Sequence, residues 1–193
     1  MPRFLRPAAI TATLLLLALA SGCSPTFNWR DVRPDGARLK LLLPCKPDKA
    51  TKTVPLGGQP TELRMAGCDV SDLTFAVAVA DIDEVNRAGP VLAQWQAATL
   101  ANMKALPSSP GPAGGRLPAA QAESRTLPLK LPGASQAPAP VLVTATGQRP
   151  DGTAVQGQAA YFAQGAQVFQ VVIYGIKIPT EVADTFFGSL QFE

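Results

Sequence analysis

Leu73-Thr74-Phe75-Ala76-Val77-Ala78-Val79-Ala80-Asp81-Ile82 decides the fold. Phe75, Val77 and Val79 alternate with Ala76, Ala78 and Ala80, the two-residue period of a strand whose faces are both apolar but unequal in bulk. The small face calls for a close cover, and the residues that follow supply a helix over 90–106. It carries proline in its first turn and repeats Leu92, Trp95, Thr99 and Met103 at helical spacing. Trp95 is therefore read as core rather than as part of a site.

Upstream, residues 38–43 form an expected strand with Leu39, Leu41 and Leu43 on one face and Leu42 on the other. Pro44 and Pro47 bracket Cys45 and end ladder pairing there. Residues 51–56 and 61–68 flank Gly57-Gly58, a dipeptide suited to a tight hairpin, and Pro60 marks an edge or a hairpin shoulder because it lacks an amide donor. Downstream, residues 107–122 turn to proline, glycine, serine and alanine without periodicity and read as a loop. Gly111 to Arg116 lack the strand before and the Gly-Lys-Ser/Thr after that a phosphate cradle needs.

A strand over 125–131 and a proline-rich interruption over 132–140 lead to two strands, 141–148 and 153–164, paired around Arg149-Pro150-Asp151-Gly152. Arg33-Pro34-Asp35-Gly36 shares that turn chemistry without making a repeat. Gly165-Ala166 opens a further hairpin into residues 168–177. There Phe169, Val171 and Ile173 lie opposite Val168, Val172, Tyr174 and Ile176, so this strand is expected at the centre of a sheet. Pro179-Thr180 begins a last helix with Val182, Phe186 and Leu190 on one stripe and Thr180 as cap, and Phe192 is expected to pack the chain end. The expected fold class is α+β, a single domain over 35–193 with an antiparallel sheet covered by helices.

Leu43-Pro44-Cys45-Lys46-Pro47, the Tyr174-bearing strand and Phe186-Phe187-Gly188-Ser189-Leu190 together resemble the PsbP-like fold family in the order of its elements over most of residues 27–192. The resemblance implies an α/β/α sandwich and a non-enzymatic binding or assembly role, with no catalytic set to carry over. Cys45 stands where that family usually has glycine, a departure that fits an added disulfide.

The amino-terminal end has Arg3 and Arg6, an uncharged stretch from Pro7 to Gly22, and small residues before Cys23. That is the layout of a secretory signal over 1–22, its apolar part short of the about 20 residues that a membrane span needs. Ala20-Ser21-Gly22-Cys23 resembles the bacterial lipobox, with Ala20 where leucine, valine or isoleucine is usual. The resemblance implies cleavage before Cys23, its lipidation with fatty chains such as palmitate, and a tether over 23–34 with Phe27 and Trp29 as first anchors. Ordinary cleavage with a free Cys23 and an uncleaved anchor are the alternatives. Ser24, in place of aspartate, resembles the pattern sorted to the outer membrane, facing the periplasm.

With Cys23 lipidated, the three cysteines leave an even pair, Cys45 and Cys68, and an oxidising compartment makes a disulfide the expected state. Two buried free thiols and a redox-active pair are the alternatives, the last disfavoured without Cys-x-x-Cys spacing. Removing 22 of 193 residues leaves 171, enough for one core, and 15 basic against 14 acidic residues, a net charge of about +1. No basic stripe for nucleic acid remains.

The chain contains no histidine, which excludes Ser-His-Asp and Cys-His nucleophile systems and His-ligated metal centres. Asp81, Asp83 and Glu84 form a tight acidic group without the glycine bend and spread ligands of a calcium loop, and are read as a solvated turn. Ser189 has no base beside it and reads as a cap or surface residue. Tyr161, Phe162 and Tyr174 are read as core before pocket. No cofactor, metal or catalytic residue is expected. The expected function is a lipid-anchored, non-catalytic envelope domain. Its partners are membrane lipid, through the anchor, and an envelope protein. An envelope enzyme or thiol-redox protein using Cys45 and Cys68 is the alternative.

Overall fold

The computed structural model describes residues 26–105, 124–149 and 151–193; the leader and Cys23 lie outside them, as does the loop expected over 107–122. The described chain folds into one domain of two antiparallel sheets and two α-helices. The large sheet has seven strands: β3 (Asp48–Leu56), β4 (Gln59–Val70), β5 (Leu73–Asp81), β6 (Ser124–Pro128), β7 (Val141–Gln148), β8 (Ala154–Gln164) and β9 (Gln167–Gly175). They run in the order β3-β4-β5-β9-β8-β7-β6. The apolar strand β9 is the middle one, as its two-sided sequence requires, and it pairs with β5 through Phe75↔Ile173 and Val77↔Val171.

Alternation along β5, β8 and β9 divides the interior into two cores. Phe75, Val77, Val79, Phe162, Phe169, Val171 and Ile173 face one side, whereas Ala78, Ala80, Ala159, Tyr161, Val168 and Val172 face the other. The side of small residues receives α1 (Ala88–Asn102), which buries Val91, Leu92 and Trp95. Helix α1 begins earlier than expected and ends sooner, without a side-chain cap. A short 3₁₀ turn, Val85–Arg87, delivers the chain to its first residue, so Pro90 sits inside the first turn rather than opening it.

The opposite side is closed by α2 (Thr180–Gly188) and by a second sheet of three strands, β1 (Arg30–Val32), β2 (Leu39–Leu43) and β10 (Gln191–Phe192), in the order β1-β2-β10. The strand expected over 38–43 therefore joins the two ends of the described chain rather than the large meander. Its Leu39, Leu41 and Leu43 are fully buried, and Phe192 meets Phe162 and Phe169 edge-on at 5.8 and 5.6 Å. The segment expected as tether is already structured from Phe27, which stacks on Trp29 at 5.9 Å. Trp29 in turn meets Phe75 edge-on.

Two further expectations are corrected. Thr180 is the first residue of α2 and not its cap; Pro179 takes the extended capping position, with no side-chain bond to the first turn. The interruption expected over 132–140 is present as the connection between β6 and β7, packed onto the domain: Ala134 is buried, and Ser135 donates its N–H to the Ala163 carbonyl at 2.7 Å. The strand before it, expected over 125–131, is shorter than expected and stops at Pro128. Among the described residues no helix is long and apolar enough to cross a membrane.

Candidate functional site

Helix α1 is fastened to the large sheet at both ends. Near its start, the β3–β4 hairpin tip reaches up to it: Gly57 donates its N–H to Gln94 Oε1 at 2.6 Å, and Arg87 donates to the Gly57 carbonyl at 2.6 Å. Gly57 and Gly58 both have positive φ, as a tight turn here demands, and a Cβ on Gly57 would stand 2.6 Å from Val91 Cγ2. At the far end, the Met103 carbonyl accepts the N–H of Gln148, the last residue of β7, at 2.8 Å.

Between these fastenings lies a cleft of about 610 Å³. That volume falls within the roughly 300–1,000 Å³ of small-molecule sites. Its walls are Leu56, Leu63, Trp95, Met103 and Val155. The floor carries a polar relay: Gln170 Nε2 donates to Thr99 Oγ1 at 2.8 Å and to the Tyr161 hydroxyl at 2.9 Å, and Thr99 donates onward to the Trp95 carbonyl at 3.0 Å. Tyr174 lines the cleft beside this relay. Burial pushes the Tyr174 hydroxyl far above the ordinary phenol range, with Tyr161 nearby adding to the effect. Burial also raises Tyr161, against the opposing pull of its bonds to Thr99 and Gln170. Both tyrosines are held neutral.

The residues singled out from sequence divide around this geometry. Phe162 is core, Tyr161 is core with a bonded hydroxyl, and Tyr174 borders the cleft; Trp95 is both buried and a wall. Asp81, Asp83 and Glu84 do not come together as a ligand set. Asp81 accepts from Arg64 Nη1 and from Gln167 Nε2, each at 2.7 Å, and the Arg64 bond holds its carboxyl below the usual range. Among the described residues no three Cys, Asp or Glu side chains are grouped to hold a metal ion. Ser189 is the C-terminal cap of α2, as one of its two expected roles had it, and does more than cap: its hydroxyl donates to the Phe186 carbonyl at 2.6 Å and accepts from the Leu42 N–H at 2.9 Å, tying α2 to β2. Cys45 and Cys68 form a disulfide that links the end of β2 to β4, the small sheet to the large one.

Gln170 and Arg149 were not singled out. Gln170 had a legible signal, a lone amide inside the apolar run of residues 168–174 and in phase with the helix-facing side. Arg149 was absorbed into a turn signature, yet it is the one charged residue lining the cleft among the described residues. No family model matches the chain, and no curated protein matches it.

Proposed function

We propose that this chain is a lipid-anchored domain of a bacterial cell envelope, facing the periplasm, that binds a partner without catalysing a reaction. The observation that carries the binding role is the cleft beneath α1, with its apolar walls, a bonded polar floor and no nucleophile–base pairing among the residues that line it. The Cys45–Cys68 disulfide supports an oxidising compartment, and the lipobox-like residues before Cys23 support the tether. The three layers, with α1 on one side of the large sheet and α2 with the small sheet on the other, support the PsbP-like comparison.

Two experiments test this reading separately. Mass spectrometry of the native amino terminus is expected to find acylated Cys23, and a fat-free start elsewhere overturns the anchor. A photo-cross-linking residue at Asn102, on the cleft rim, is expected to give a discrete adduct in intact cells that the same residue at Glu181 on α2 does not. Identical adduct patterns at the two positions would remove the binding role from the cleft.

A further inference from the structure

The cleft has two unlike ends. Toward the β3–β4 hairpin it is bounded by Val54, Pro55, Leu56 and Leu63; toward the end of α1 it is bounded by Asn102, Gln148 and Arg149. From Gln94 to Asn102 the helix that flanks it runs about 12 Å at roughly 1.5 Å per residue. That length suits an elongated body rather than a compact one. Met103 adds an unbranched, adaptable side chain to the wall. The Arg149 side chain is exposed and makes no ion pair among the described residues; its acidic neighbour is Asp151 in the same turn, whose carboxyl it helps to hold low from beyond ion-pair distance, and no Asp or Glu lines the cleft itself. A largely apolar slot whose one lining charge is a guanidinium, not tied up in an ion pair, is complementary to an apolar chain ending in one negative charge, because a carboxylate can take two parallel N–H bonds from the guanidinium fork.

Resting on the reading of the cleft as a binding site, we infer that its ligand is a single-chain acyl carboxylate. The chain lies along Trp95, Leu63 and Leu56, and the carboxylate meets Arg149. Trp95 provides the readout, since W29F leaves it as the sole indole of the chain. The probes are dodecanoate and dodecyltrimethylammonium, which share a tail and differ in the sign of the head, each used below its aggregation concentration. Dodecanoate is expected to quench Trp95 saturably, with at least tenfold higher affinity than the cation. R149Q is expected to weaken dodecanoate at least fivefold and leave the cation unchanged, while A98F, at an exposed helix position lining the cleft, weakens both. R149E provides a second reading of the same charge, and thermal melts confirm that each variant is folded.

Equal affinity for the two probes, or indifference of dodecanoate to both Arg149 variants, overturns the inference and leaves a slot that binds by greasiness alone. Absence of saturable binding also overturns it, while the cross-linking at Asn102 still decides the broader reading independently. Self-association that A98F abolishes, without amphiphile binding, assigns the cleft to a second copy of the chain and overturns it too.

Discussion

The Gln148 N–H donates to the Met103 carbonyl at 2.8 Å, and the residue before Gln148 is a glycine whose missing Cβ leaves room for that carbonyl. A side chain on Gly147 collides with backbone that is itself fixed by the bond. A methyl on Gly157 meets the end of the unbranched Met103 side chain, Sδ and Cε at 2.8 and 2.7 Å, and a Tyr174 ring carbon at 3.1 Å. Gly147→Ala is therefore expected to cost about 2–3 kcal/mol and Gly157→Ala about 1 kcal/mol, since only the second can relax by moving a side-chain end. Urea unfolding of the two variants measures the difference, and equal losses would show that the carbonyl does not hold the end of α1.

The disulfide crosses between sheets, with Cys45 just past β2 and Cys68 within β4, a separation of 23 residues. Closing a loop of that size in the unfolded chain stabilises the fold by about 3 kcal/mol in the chain-entropy treatment. The C45A/C68A double variant is expected to lose about that much in chemical denaturation while keeping its sheet signal in circular dichroism. A denaturation midpoint unmoved by the double substitution would remove the disulfide from the stabilising contacts.

Ser189 stands at the end of α2 with its hydroxyl between the Leu42 N–H and the Phe186 carbonyl. Ser189→Ala leaves the half-buried amide of Leu42 without an acceptor, which costs about 1–2 kcal/mol. Thr185→Ala is the control, because that hydroxyl bonds back to Glu181 on the exposed side of the same helix and is expected to cost almost nothing. Comparable losses in the two variants would mean that the α2–β2 tie contributes nothing of its own.

The large sheet was legible because β5 and β9 both carry two apolar faces, and the hairpins because Gly57, Gly58 and Gly165 take positive φ. Alternation reports which face of a strand is buried but not which strand lies beside it. Leu39–Leu43 therefore could not be separated from the meander, and its partners, three and two residues long, are too short to show a period. The cap of α2 was misplaced because threonine's preference for that position yields here to the proline before it, whose fixed φ already gives the extended backbone. The cleft was half visible: Trp95 reads as core, and Tyr161 and Tyr174 as core before pocket, but the space between them depends on how far α1 stands off the sheet. Two long-range hydrogen bonds hold that spacing, one from the Gly57 N–H to the Gln94 side chain and one between the backbones of Gln148 and Met103.

Tyr161 and Tyr174 are the only two tyrosines of the chain, and burial raises both above the ordinary phenol value. An unfolded tyrosine ionises near pH 10. Below that pH the neutral phenols are equally protonated in both states and their contribution to stability is intact. As pH climbs past about 10, the unfolded chain releases protons that the folded chain retains, so stability falls until the folded values are reached, by at most about 1.4 kcal/mol per pH unit for each tyrosine. Tyrosinate absorbance is thus expected to stay low at pH 10 and to rise together with loss of the sheet signal in circular dichroism. Tyr174→Phe is expected to flatten the alkaline decline without changing its direction. Two phenols ionising near pH 10 in a chain that keeps its fold would mean that water reaches the floor of the cleft freely, and that the polar relay at Gln170 is not shielded from it.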